Sequence, residues 1–149
     1  MNLGEGNYYP LFILKKLVED FMVTDNISIL IEYLKKTKEY MLFLYLMTEE
    51  LNLALKLVGL KKSGELRANI SYNEFKASNY EKIKKYFKTS KGMMREYPIF
   101  LKLKYMSLFN EEFLLKSIEN LLKVEHSVKN GGIEESIGIE KFIIEFRRG

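Results

Sequence analysis

The sequence predicts an all-α fold, a single compact bundle of about six or seven helices, and three observations lead there. Apolar residues recur at the i, i+3, i+4, i+7 spacing of one helix face along most of the chain. The two prolines and nine glycines fall mostly between those periodic segments. No stretch alternates strongly enough with the period of two that a half-buried strand requires. Residues 133–144 are rich in isoleucine, yet Glu134, Glu135, Glu140 and Lys141 are spaced for a helix face.

Taken in order, the first helix is expected to start at Tyr8 or Tyr9, with Pro10 in its first turn, where a missing N–H costs little. Its apolar positions are Leu11, Leu14, Leu17, Val18 and Phe21. Asp25 or Asn26 can cap a second helix carrying Ile27, Leu30, Ile31 and Leu34. A long third helix is expected over residues 38–60. It is apolar on most sides from Met41 to Met47, as a central core helix is. Leu51, Leu55 and Val58 continue one stripe, and Gly59 is the expected terminator.

Residues 61–70 read as a loop. Ser71-Tyr72-Asn73-Glu74 then has the form of a capping box, serine and glutamate three apart, and opens a helix reaching Phe87. Thr89-Ser90-Lys91-Gly92 interrupts the pattern. Pro98 opens a helix with Ile99, Leu101, Leu103 and Met106. Asn110-Glu111-Glu112 starts the next, placing two acids where the helix dipole favours them. That helix carries Phe113, Leu114, Ser117, Ile118, Leu121 and Leu122 and stops before Gly131-Gly132. A last helix covers residues 136–146.

At 149 residues, 47% apolar and 30% charged, the chain is expected to form one globular helical domain over residues 1–149. It has no cysteine. That excludes disulfides, thiolate catalysis and cysteine-ligated zinc, and it agrees with a reducing compartment. No apolar run reaches the ~18 residues of a membrane span. Met1-Asn2-Leu3-Gly4-Glu5 lacks the basic start of a signal peptide, so a cytoplasmic location is expected.

The residue types that carry catalysis are sparse. His126 is the only histidine, so a nucleophile–histidine pair has a single possible base, and its place near a helix end explains it as a partner of the helix dipole. Glu49/Glu50, Glu111/Glu112 and Glu134/Glu135 are paired carboxylates at polar faces or helix starts, where solvation accounts for them. Gly4-Glu5-Gly6 and Gly131-Gly132 have neither phosphate-loop spacing. The expectation is a chain without catalytic, cofactor-binding or metal-binding residues and without a small-molecule substrate.

Charge is uneven. The net charge is only +4. Yet residues 76–95 hold Lys76, Lys82, Lys84, Lys85, Lys88, Lys91 and Arg95 against the single acid Glu81, with Tyr80, Tyr86 and Phe87 interleaved. Basic side chains among aromatics are what backbone or single-strand binding uses. Lys82, Lys84, Lys85, Lys88, Lys91 and Arg95 are therefore candidates for nucleic-acid contact. The plainer reading is a solvated lysine face whose rings point inward.

The segment Leu121-Leu122-Lys123-Val124-Glu125-His126-Ser127-Val128-Lys129-Asn130-Gly131 resembles the end of the DNA polymerase III delta subunit, a clamp-loader component. In that family a leucine-rich helix ends in an acid, then a few small or apolar residues, then Lys-Ser/Thr-Gly. Ile139-Glu140-Lys141-Phe142-Ile143-Ile144 is similar to its closing helix. Pro98-Ile99-Phe100-Leu101-Lys102 and Phe109-Asn110-Glu111-Glu112-Phe113-Leu114 are similar to the helix starts that precede it. The long apolar helix suits the family's first large collar helix. Glu125 stands where the family usually has aspartate, and residues 61–96 are longer and more basic than its pattern.

The resemblance implies a C-terminal collar domain, with the AAA+-like region of the full subunit absent from this chain. It implies gamma/tau and delta-prime type subunits as partners in a hetero-oligomer that loads the sliding clamp during DNA replication, with DNA touched indirectly or weakly. No catalytic or nucleotide-binding residue carries over. The terminal helices would supply the subunit interface through Phe142, Ile143 and Phe146, residues that serve equally well as core. The alternatives are a helical nucleic-acid-binding module built on residues 76–95, or a small helical adaptor.

Overall fold

A computed structural model describes the backbone from Leu3 to Phe146 and the side chains from Phe12 to Phe146. The fold is all-α. Helices α1 (Leu3–Val23), α2 (Ile27–Thr37) and α3 (Tyr40–Lys62) come first. Next, α4 (Tyr72–Glu74), a π-helical stretch (Phe75–Asn79), α5 (Tyr80–Ile83) and a 3₁₀ turn (Lys84–Tyr86) run on without a break. The pair β1 (Lys88–Thr89) and β2 (Gly92–Met93) follows, then α6 (Glu96–Leu101), α7 (Tyr105–Leu108), α8 (Glu111–Lys129) and α9 (Glu135–Glu145). Counted as continuous helical regions, these make eight among the described residues.

The chain divides into two compact units. Among the described residues, one comprises Leu3–Leu51 together with Lys116–Phe146; the other is Asn52–Leu115. In the first unit α1 packs on α2 and α2 on α9. Its core holds Leu14, Val18, Phe21, Leu30, Leu34, Phe43, Met47, Leu51, Leu121, Ile139 and Ile143, all buried. Phe21 and Phe146 meet with ring centroids 5.1 Å apart. The Tyr40 hydroxyl lies 3.3 Å from Glu140 Oε2, a contact between α3 and α9. The second unit buries Ala54, Leu57, Leu60, Leu66, Phe75, Ile83, Phe87, Ile99, Leu103, Tyr105 and Met106.

Helix ends depart from expectation in instructive ways. Helix α1 begins at Leu3, so Pro10 lies within it rather than in its first turn; proline's fixed φ is already helical, and the cost is the lost N–H bond. The Leu11 side chain lies outside the described residues. Asn26 occupies the N-cap position of α2 but does not cap it. Its amide donates instead to the Leu17 carbonyl at 3.2 Å, tying the start of α2 to α1.

Gly59 does not end α3. It lies inside the helix, where flanking Leu57, Val58 and Leu60 are all buried and hold the helical path. The terminator is Gly64, at φ +82. The Gly64 N–H donates to the Lys61 carbonyl at 3.1 Å and the Glu65 N–H to the Leu60 carbonyl at 3.0 Å, the paired bonds of a Schellman motif. Helix α8 ends the same way, as Gly131-Gly132 led us to expect. Gly131 has φ +73, its N–H donates to the Val128 carbonyl at 3.1 Å, and the Gly132 N–H donates to the Ser127 carbonyl at 2.9 Å.

Two caps act as expected. The Ser71 hydroxyl accepts from the Glu74 N–H at 3.1 Å, and Asn110 Oδ1 accepts from the Phe113 N–H at 2.7 Å. The Ser71 box is only half closed, because the Glu74 carboxylate turns outward to Arg67 at 2.7 Å.

The terminator assignment separates two glycine variants. Gly59→Ala meets nothing within 4 Å and is expected to stabilise the protein by about 0.5–1 kcal/mol, since alanine suits a helix interior better. Gly64→Ala forces a Cβ into the left-handed region and is expected to destabilise by about 1–2 kcal/mol. Urea denaturation of both variants checks the pair; equal effects would refute the assignment.

Candidate functional site: a basic hairpin and a terminal helix pair

The basic segment lies wholly in the second unit, and a local scaffold presents it outward. Phe75, Tyr80, Ile83 and Phe87 are buried and anchor residues 75–87 from below. The Tyr80 hydroxyl donates to the Met94 carbonyl, and the Met94 N–H donates to the Phe87 carbonyl at 2.9 Å. These two bonds clamp the base of the hairpin. Lys88 pairs with Met93 and Thr89 with Gly92 in an antiparallel register. At the tip, the Thr89 hydroxyl donates to the Gly92 carbonyl at 2.8 Å and accepts from the Lys91 N–H at 3.2 Å. Gly92 takes φ +114, a conformation that side chains rarely adopt.

This hairpin is a finding against expectation. Residues 89–92 read as a break in helical pattern, and with strands of two residues there was no alternating pattern to detect.

Of the six basic candidates, Lys82, Lys85, Lys88, Lys91 and Arg95 are exposed and Lys84 is partly covered. Lys84 Nζ lies 2.7 Å from Glu81 Oε1. The Glu81 hydrogen bond, then its charge, raises the pKa of Lys84 above the ordinary lysine value, and Glu96 adds to this. Lys85 Nζ stands 5.2 Å from the centre of the Tyr86 ring, within cation–π reach. The interleaved aromatics split: Tyr80 and Phe87 are core, while Tyr86 remains 39% exposed. Just beyond Arg95, Tyr97 is 52% exposed. Its ring meets Tyr72 edge-on at 5.3 Å and stacks beside Phe100 at 6.5 Å.

The terminal helices correct one expectation. Phe142, Ile143 and Phe146 are buried in the first unit's own core and are not available to a partner in this fold. The physical reason is the helix period. Ile139, Phe142, Ile143 and Phe146 share one face, at steps of three and four, and that face turns inward. The outward apolar positions are Ile137 and Ile144 on α9 and Leu115 and Leu122 on α8. Gly138 lets the two helices approach: a Cβ there would lie 3.2 Å from Val124 Cγ1 and 3.5 Å from Ile133 Cγ2.

His126 is exposed near the C-terminus of α8, with Nε2 2.9 Å from the Asn130 side-chain amide. Glu125 pairs with Lys129 at 2.8 Å. The described residues hold no group of three or more His, Asp or Glu side chains placed to share a metal ion, and none of their helices is long and apolar enough to cross a membrane. Compared with known proteins, the chain matches no family model, no curated protein and no solved structure.

Two measurements follow from this geometry. Ile143→Ala, at a fully buried position, is expected to destabilise by about 2–5 kcal/mol. Ile137→Ala, 54% exposed on the same helix, should fall within about 0.5 kcal/mol of wild type; the reverse order in denaturation would place the core on the other face. Tyr80→Phe removes the donor to Met94 and is expected to cost about 0.5–1.5 kcal/mol. Amide exchange should then quicken at Met94 and Gly92 while α1 stays protected.

Proposed function

We propose that this chain is a non-catalytic assembly domain of the clamp-loader collar kind, similar to the C-terminal domain of the DNA polymerase III delta subunit and acting in the cytoplasm. The observation that carries the reading is the helical hairpin built by the residues of the resemblance. Helix α8 starts at an asparagine cap and ends in a Schellman motif at Gly131, and α9 packs back on it through Gly138. The proline-bearing α6 precedes them in the expected order.

The work of such a domain is mechanical. It holds neighbouring subunits in fixed order, so that ATP-driven movement in their motor modules reaches the clamp. Contacts of that kind use outward apolar side chains, and Leu122, Ile137, Met41 and Tyr45 are exposed in the first unit. They take the role first expected of Phe142, Ile143 and Phe146.

Gel filtration of the full chain mixed with gamma/tau and delta-prime type subunits tests the reading. A shared peak is expected, and Leu122→Asp combined with Ile137→Asp should remove the chain from it without changing its circular dichroism. Separate elution of the wild-type chain would refute the proposal.

A further inference from the structure

The collar reading makes no use of the basic surface of the second unit, and that surface carries an inference of its own. Residues 76–95 hold seven basic side chains and one acidic, an excess of six, whereas the whole chain has a net charge of +4. The remaining residues therefore sum to −2, so this one segment supplies the whole of the chain's positive character. Both nearby carboxylates, Glu81 and Glu96, act on Lys84. That leaves Lys82, Lys85, Lys88, Lys91 and Arg95 exposed, with no carboxylate bridge to any of them among the described residues.

Concentrating like charges costs self-repulsion, which a solvated lysine face relieves by spreading its cations among acids. Here they are not spread. Lys88 and Lys91 are carried on a hairpin whose tip and base are both pinned by hydrogen bonds, Lys82 and Lys85 on the helical turns just before it and Arg95 just after it. A polyanion lying along it would relieve the repulsion and release its own counterions.

The aromatic rings distinguish among polyanions. Tyr86 and Tyr97 keep large parts of their rings in solvent at either side of the hairpin sequence, and Tyr97 is held in place by Tyr72 and Phe100. Exposed rings offer stacking platforms to unpaired bases, while a duplex keeps its base faces inside its own stack. We propose that residues 82–97 form a binding surface for single-stranded nucleic acid. Lys82, Lys85, Lys88, Lys91 and Arg95 take phosphates and Tyr97 takes a base, without sequence preference. This assignment stands independently of the collar reading.

Fluorescence anisotropy of the full chain with a labelled oligothymidylate of about twenty nucleotides tests it. Five phosphate contacts on a single strand predict affinity falling about a hundredfold between 50 and 200 mM salt. Combining Lys88→Glu and Lys91→Glu on the hairpin with Arg95→Glu just beyond it, all at exposed positions, should weaken binding at least about tenfold and flatten the log–log salt slope by about 2. Tyr97→Leu keeps an apolar contact for Tyr72 and should weaken binding without changing that slope. Unchanged circular dichroism and unchanged co-migration with clamp-loader subunits separate this result from failure of the fold or of the collar reading. Absent or salt-insensitive binding, or a charge-reversed variant that binds as wild type does, overturns the proposal. So does a duplex of equal length bound as tightly as the single strand. Charge reversal that abolishes co-migration but spares oligonucleotide binding assigns the surface to a protein partner instead.

Discussion

The burial of helix α3 is the constraint on which the rest of the structure depends. Along its 23 residues it places Phe43, Leu44, Met47 and Leu51 in the core of one unit and Ala54, Leu57 and Leu60 in that of the other. Each large side chain taken fully from water contributes about 1.5–3 kcal/mol. In proteins most helical stability comes from packing of the apolar face rather than from propensity, so burial of these side chains is what holds α3. A helix apolar on several sides demands partners on several sides. In the first unit Phe21 of α1, Leu34 of α2 and Ile143 of α9 are buried as well, and the Tyr40 hydroxyl of α3 reaches Glu140 of α9.

With the packing set by apolar area, the ends of the helices are set by hydrogen bonds. A helix end leaves carbonyls without partners, and a left-handed residue lets the next N–H groups turn back to them. Gly64 and Gly131 do this for α3 and α8. At helix starts the chain is less uniform. Ser71 and Asn110 cap in the ordinary way, while Asn26 spends its amide on Leu17 and so exchanges a local bond for one between helices.

The two proposed surfaces follow from that division. Where apolar residues fall on the period of α9, they go inside and leave Ile137 and Ile144 outward, so the proposed partner would be met by the second face of the helix. Where lysines interrupt the pattern, at residues 82–95, the buried rings of Phe75, Tyr80 and Phe87 hold the backbone and the cations are left in water. One set of aromatic residues thus anchors the basic segment, and a different set, Tyr86 and Tyr97, remains available to a ligand.

The sequence by itself determined the all-α class, the order of the helices, the caps at Ser71 and Asn110 and the stop at Gly131. Each of these is written in residues only a few positions apart, and helix periodicity and capping act over that range. It also located the basic segment, because a run of lysines is visible without any fold. Only the tertiary structure decided that Gly59 continues a helix and Gly64 ends it, that Asn26 bonds across to α1, and that Phe142, Ile143 and Phe146 are core. It likewise decided which rings among the lysines point inward and that residues 88–93 pair as a hairpin. These outcomes depend on which face of each helix finds a partner, and that partner lies far along the chain, where no local pattern records it.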